Sequence, residues 1–192
     1  MNLTELREER KAVWRYRHAQ YCFAQVIVTN MELKKLGWSE DHPLVLQLSV
    51  GMAVLYARPF SNNLGIGRLS DDFVPAEFRP RHRKLMLIRN KVYAHYDTAD
   101  LSDAEIQQAL PQIRLVCDSR GQELVIADFP FKFAAFAQAA EIAEALRKKC
   151  EWHLEKLLKK HRMEFAGSRG IYSLSLTSAS STLFDQEKMD VY

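Results

Sequence analysis

Apolar residues recur along the first 35 positions at alternating three- and four-residue steps. Ala12, Tyr16, Ala19, Phe23, Val26 and Leu33 share one face, and charges such as Glu9, Arg10 and Arg17 fall outside it. The spacing predicts one long amphipathic helix, ended by Gly37. A nearly unbroken apolar run then predicts a second, central helix that opens near Asp41-His42-Pro43 and runs to about Tyr56. Arg58-Pro59 ends it, because proline cannot continue the hydrogen-bond ladder. The uncharged stretch from Pro43 to Ala57 is shorter than the roughly 20 residues of a membrane helix, and Gln47, Ser49 and Gly51 within it suit a buried helix.

Residues 61–79 hold Gly65, Gly67 and Pro75 and predict a long loop. Gly65-x-Gly67 does not read as a phosphate loop: no strand precedes it, Ser70 stands where a third glycine would be, and no Gly-Lys-Ser/Thr follows. A third helix is predicted from about Pro80 to about Tyr96. Ser102-Asp103-Ala104-Glu105 has the capping-box pattern of a short helix that Pro111 closes. Two β-branched runs, Gln112–Cys117 and Glu123–Ala127, flank Asp-Ser-Arg-Gly and predict a hairpin. A long helix resumes from Phe133 to about Arg162, with Phe133, Phe136, Ala140, Ala143, Cys150, Leu154 and Leu157 on its inner side. The fold class is mainly α, a helical bundle with a small β-hairpin before its last long helix. Residues 1–165 form the predicted helical domain, and the Ser/Thr-rich residues 166–192 a flexible tail.

Composition narrows the class. Of 192 residues, 47% are hydrophobic and 27% charged, which fits one soluble globular domain with appendages. The N-terminal MNLTELREERK has no apolar core of a secretory signal. Cys22, Cys117 and Cys150 are odd in number and lack CxxC spacing, so a reducing cytoplasm is expected, with all three thiols as small buried hydrophobes. His18, His42, His82, His153 and His161 show no metal-binding spacing, so neither a metal nor a cofactor is expected, and no membrane partner.

The net charge of +3 conceals a strong local excess. From Arg79 to His95 six cations stand without an acid, leaving 21 cations against 24 acids elsewhere. On an ideal helix Leu85, Ile88, Val92 and Tyr96 form an apolar stripe flanked by Arg89 and His95. That pair suits cleavage of RNA without a metal. A histidine of ordinary pKa exchanges protons with a ribose hydroxyl or a leaving oxygen near neutral pH. A guanidinium holds a phosphate and stabilises charge developing on it. Arg81, Arg83, Lys84 and Lys91 supply sequence-independent attraction for an RNA backbone.

The run Arg89-Asn90-Lys91-Val92-Tyr93-Ala94-His95 resembles the signature of the HEPN superfamily, an Arg with a polar residue directly after it and a His several positions on. The resemblance implies a bundle of four to five helices, often homodimeric, with two motifs facing each other across the interface. It also implies a metal-independent endoribonuclease, frequently in toxin–antitoxin or phage-defence systems with an antitoxin protein as partner. Carried over position by position, Arg89 and His95 are catalytic and Asn90 orients the pair. The alternative is a non-catalytic helical module that uses the same basic surface to bind RNA, a nucleotide or a protein partner.

Two further signals remain. Residues 147–162 hold seven cations against Glu151 and Glu155, with Trp152 among them. This is either a stacking surface for single-stranded RNA or, as the favoured reading, a solvated helix end. Arg58-Pro59-Phe60 reads as a helix stop with a packed Phe, or as a way to bring an arginine near the active face.

Overall fold

A computed structural model describes residues 3–37, 42–63, 65–87, 89, 112–118, 121–128, 138–161, 172–178 and 181–186 of the chain. The protein is mainly helical with a small hairpin before the last long helix, as the periodicity predicts. Helix α1 spans Leu3–Lys35, α2 Pro43–Ala57, α3 Arg79–Leu87 and α4 Ala139–Lys160. Strand β1 (Gln112–Asp118) pairs antiparallel with β2 (Gly121–Asp128), in register from Ile113↔Ile126 to Asp118↔Gly121. Strands β3 (Tyr172–Ser173) and β4 (Asp185–Gln186) form a second, two-residue ladder. The expected continuation of α3 to Tyr96, the capping-box helix and the stretch around Phe133 and Phe136 lie outside the described residues.

The helix ends follow local chemistry. Gly37 adopts φ 64°, a left-handed conformation open to glycine, and the chain leaves α1 there. The His42 ring accepts a hydrogen bond from the Leu44 N–H at 3.2 Å, and Pro43 opens α2. After Ala57 a 3-10 turn over Arg58–Phe60 buries Pro59 and Phe60. Two more such turns, Asp71–Phe73 and Ala76–Phe78, shape the loop before α3.

Helices α1 and α4 pack antiparallel: His161 at the end of α4 meets Glu9 near the start of α1, and Tyr16 stacks on His153 at 4.8 Å between ring centroids. Ala19, Phe23, Val26 and Leu33 of α1 share one core with Ala139, Ile142, Ala143, Leu146 and Cys150 of α4. The small side chains at this seam let the backbones approach while Phe23, Ile142 and Leu146 fill the gaps. Helix α2 adds Val45, Met52, Ala53 and Tyr56, and α3 adds Leu85. Among the described residues, Pro43–Phe60 is the one stretch long and apolar enough to cross a membrane, and 44% of it is buried inside the fold.

A second core cluster covers the other half of the α1–α4 pair. Leu6 and Val13 of α1 and Leu154 of α4 pack with Leu183, and Leu174 and Phe184 close over them. Of the segment expected as a flexible tail, Leu174, Ser178, Thr182, Leu183 and Phe184 are thus docked on the helical pair. Arg10 holds them there. Expected outside, it is instead 2% exposed, donating to the carbonyls of Leu183 (3.2 Å), Ser178 (2.6 Å) and Thr182 (2.5 Å). A buried guanidinium requires such acceptors, and its fork of donors can serve several carbonyls together. Cys22 and Cys150 are buried as expected, but Cys117 is exposed. It lies beside Leu115 and Val116 on a hairpin strand where all three side chains face solvent.

Two stability predictions follow from this packing. Arg10→Met leaves the tail carbonyls without their donor. Urea unfolding should show a loss of about 2 kcal/mol or more, and limited proteolysis should cut first within 166–192. In α2, the Ser49 hydroxyl is fully buried and has no hydrogen-bond partner among the described residues. Ser49→Ala removes the unmet group and should raise stability by about 1 kcal/mol, visible as a higher thermal midpoint.

Candidate nucleic-acid interface

The basic segment begins on a helix built by proline and held by neighbours on both sides. Pro80 sits in the first turn of α3, where its missing N–H is not needed. Arg79 donates to the Val74 carbonyl at 3.3 Å and pairs with Asp72 at 3.3 Å. Arg81 reaches across to Glu141 of α4 at 3.1 Å. That pair is exposed on both sides, contributes little to stability, and leaves the guanidinium open to an incoming phosphate.

The inward face of α3 is anchored by Leu85 and His82, both buried. His82 packs 4.5 Å from the Phe60 ring and its Nδ1 lies 2.9 Å from the Tyr56 hydroxyl. Its Nε2 faces the Asp71 carboxylate at 3.8 Å. That arrangement selects the tautomer with its proton on Nε2, so the Tyr56 hydroxyl donates to Nδ1. Burial first, and then the charge of Arg83, hold the His82 pKa below its ordinary value of 6.5, against the opposing pull of Asp71. Burial likewise pushes the Tyr56 hydroxyl up.

Arg83 and Lys84 stand exposed on the outward face, and among the described residues no carboxylate pairs with either. Arg89 follows in a wider, π-type helical turn and is half-buried. Asn90, Lys91 and His95 lie outside the described residues. The structure therefore describes Arg81, Arg83, Lys84 and Arg89 on one basic segment, and the geometry between Arg89 and His95 is not among the described features.

The second cationic stretch is largely engaged by the protein itself. Arg147 pairs with Glu144 at 2.9 Å and with Glu151 at 3.6 Å, and Lys148 shares Glu144 at 3.5 Å. Lys149 donates to the Phe73 carbonyl at 2.8 Å and sits 4.6 Å from the Phe73 ring centre. Lys160 and His161 both bond to Glu9. Burial works to raise the Glu9 pKa, but those two hydrogen bonds outweigh it and hold the carboxyl low. Trp152 remains exposed with Lys156 over its ring at 5.3 Å. The solvated-helix-end reading thus accounts for four of the seven cations through partners on the chain.

The Arg58-Pro59-Phe60 segment is a helix stop with a packed Phe, as one reading expects: Phe60 lies in the core, while the Arg58 side chain is exposed beside His18. Sequence reasoning missed that neighbourhood, because its members come from α1, from the turn after α2 and from the tail. No group of three or more His, Cys, Asp or Glu side chains among the described residues is arranged to hold a metal ion. Comparison with protein-family models, with curated proteins and with solved structures finds no match for the chain.

The buried histidine makes stability depend on pH in a defined direction. Its folded pKa lies below the unfolded value of 6.5, so the folded chain binds its proton less readily than the unfolded one. His82 therefore supports stability that is full above pH 6.5 and is lost as pH falls through the folded value. His18 and His153 are shifted the same way, chiefly by burial. Urea unfolding should give lower stability at about pH 5.5 than at about pH 7.5, and His82→Asn should flatten that dependence. An unchanged slope in the variant would assign the effect elsewhere.

Proposed function

We propose that the chain is a metal-independent endoribonuclease of HEPN type, working in the cytoplasm as a homodimer. In this reading His95 moves the proton of the ribose 2′-hydroxyl or of the leaving oxygen, and Arg89 clamps the scissile phosphate, with Asn90 orienting the pair. The 2′-oxygen attacks phosphorus and the bond to the 5′-oxygen breaks. One proton leaves the 2′-hydroxyl and one arrives on the 5′-oxygen, so the products are a 2′,3′-cyclic phosphate and a 5′-hydroxyl. The always-charged guanidinium stabilises the extra negative charge on the phosphoryl oxygens as the new bond forms.

The observation that carries the reading is the charge asymmetry around α3. Arg83 and Lys84 face solvent without a carboxylate partner among the described residues, directly before Arg89. The cations of α4, by contrast, are mostly taken up by Glu9, Glu144, Glu151 and the Phe73 carbonyl. Two exposed cations without a carboxylate partner among the described residues therefore precede the Arg-Asn-x4-His motif, and a polyanion bound there would be drawn toward it. A role in toxin–antitoxin or phage-defence systems, with an antitoxin protein as inhibitor, belongs to the same proposal.

Single-stranded RNA incubated with the purified protein in EDTA should be cleaved. His95→Ala should slow cleavage by about 10²–10⁴-fold, and Arg89→Ala by at least about 10²-fold. The double variant Arg83→Gln, Lys84→Gln should weaken binding and lower the salt slope by about 0.7 for each lost phosphate contact. Salt-dependent binding without products, unaffected by His95→Ala, would replace the nuclease by the non-catalytic RNA-binding module. Equal cleavage by wild type and His95→Ala would remove His95 from the chemistry.

A further inference from the structure

A groove of about 440 Å³ opens between the outer face of α1, the turn after α2 and the docked tail. Its volume lies within the range of small-ligand sites, roughly 300–1,000 Å³. Trp14, Ile66 and Leu176 form its apolar wall, and the indole of Trp14 is 43% exposed. The polar side is made by His18, Arg58, Asn62 and Asn63. None of the lining side chains is acidic.

Each polar group has free capacity for a ligand. Arg58 is exposed, and its guanidinium makes no ion pair among the described residues. The side chain of Asn62 is exposed, while the amide nitrogen of Asn63 is committed to the carbonyls of Arg58 and Ser61. That commitment fixes Asn63 and leaves its side-chain oxygen as an acceptor. Burial and the neighbouring Arg58 hold His18 below the ordinary histidine range, so at neutral pH it is an uncharged hydrogen-bonding ring. Its Nε2 lies 3.7 Å from the Cys22 sulfur. At the rim, Gly65 and Gly67 adopt φ 90° and 76°, and Arg15 presses so close that a Cβ on Gly67 would lie 3.1 Å from its guanidinium. A second guanidinium therefore stands next to the turn that carries Ile66.

We propose that this groove binds a single nucleotide, its base stacked on Trp14 and its phosphate held by Arg58. A flat exposed indole, two carboxamides and an arginine match the π-face, the edge and the phosphate of one nucleotide. An acidic peptide would use the arginine but leave the indole and the amides unmatched, and an apolar ligand would leave the guanidinium unpaired. The nucleotide is either free or one unpaired residue of an RNA strand. The second source rests on the RNA-directed reading above and would give the strand a contact remote in sequence from Arg89.

The test uses Trp14 as its own reporter. The chain has three tryptophans, so Trp38→Phe together with Trp152→Phe leaves Trp14 alone. This protein is titrated with UMP and, separately, with a five-nucleotide 2′-O-methyl RNA that cannot be cleaved. Saturable quenching is expected, and Arg58→Gln should weaken it by about tenfold or more, a loss typical of one charge-assisted contact. Quenching by UMP identifies the free nucleotide as a ligand, and quenching by the oligonucleotide alone identifies the strand. Should the double substitution disturb folding, the imidazole resonances of the unsubstituted chain serve instead, with His18 moving on ligand addition and His42 not. No quenching and no His18 shift, or binding unchanged in Arg58→Gln, overturns the proposal. Failure to cleave RNA leaves this titration untouched, so the two proposals fail separately.

Discussion

The antiparallel seam between α1 and α4 sets the terms for everything attached to it, because the two helices are longer than the elements available to cover them. At 1.5 Å per residue, the 33 residues of α1 span about 50 Å and the 22 of α4 about 33 Å. The 15 residues of α2 cover only about 22 Å. One half of the seam is closed by α2 and α3, which bring Met52, Tyr56 and Leu85 to the main core. The other half would leave Leu6, Val13 and Leu154 in water, and it is the tail, through Leu183, that covers them. Tyr16 belongs to both clusters and stacks on His153 and Phe73, so the two halves meet on one aromatic side chain.

Polar groups fasten the elements to one another at three places. Near the start of α1, Glu9 takes hydrogen bonds from Lys160 and His161 and ties down the end of α4. One residue later Arg10 ties down the tail. Tyr56 and His82 join α2 to α3 inside the main core. Each device places a charged or polar group where solvent is excluded, which is tolerable only because partners meet it. The surface follows the same rule in part: Arg147, Lys148 and Lys160 of α4 are paired with acids on the chain, while Arg83 and Lys84 of α3 stand exposed without one among the described residues.

The helices were legible because burial imposes its period directly on the sequence. Ala19, Phe23, Val26 and Leu33 are fully buried as their spacing predicts, and the hairpin follows its β-branched runs. On α4 the period also admits Ile142 and Leu146, which belong to the buried face though the expected inner set omitted them. Arg10 was illegible because a charged residue on a helix normally faces water, and its acceptors are backbone carbonyls more than 160 residues away that carry no sequence signal. Tail docking was hidden likewise, since Leu174, Leu183 and Phe184 are sparse among serines and threonines. Cys117 shows the converse: an alternating run announces a strand but not which face finds cover. The Arg-Asn-x4-His motif was legible as chemistry, and the groove was not, because Trp14, Arg58 and Leu176 are assembled only by the fold.

That assembly links the tail to the groove through a single helical turn. Arg10 and Trp14 are four residues apart on α1, so they lie one above the other on neighbouring turns. Arg10 grips the carbonyls of Ser178, Thr182 and Leu183, while Leu176, two residues before Ser178, forms part of the groove wall with Trp14. Arg58 lines the groove from a 3-10 turn whose Pro59 is buried and whose Phe60 belongs to the main core. The groove thus has one wall anchored in each of the two clusters, with α1 running between them. Its shape depends on the same guanidinium capture that covers the exposed half of the seam, so tail docking and groove geometry stand or fall together.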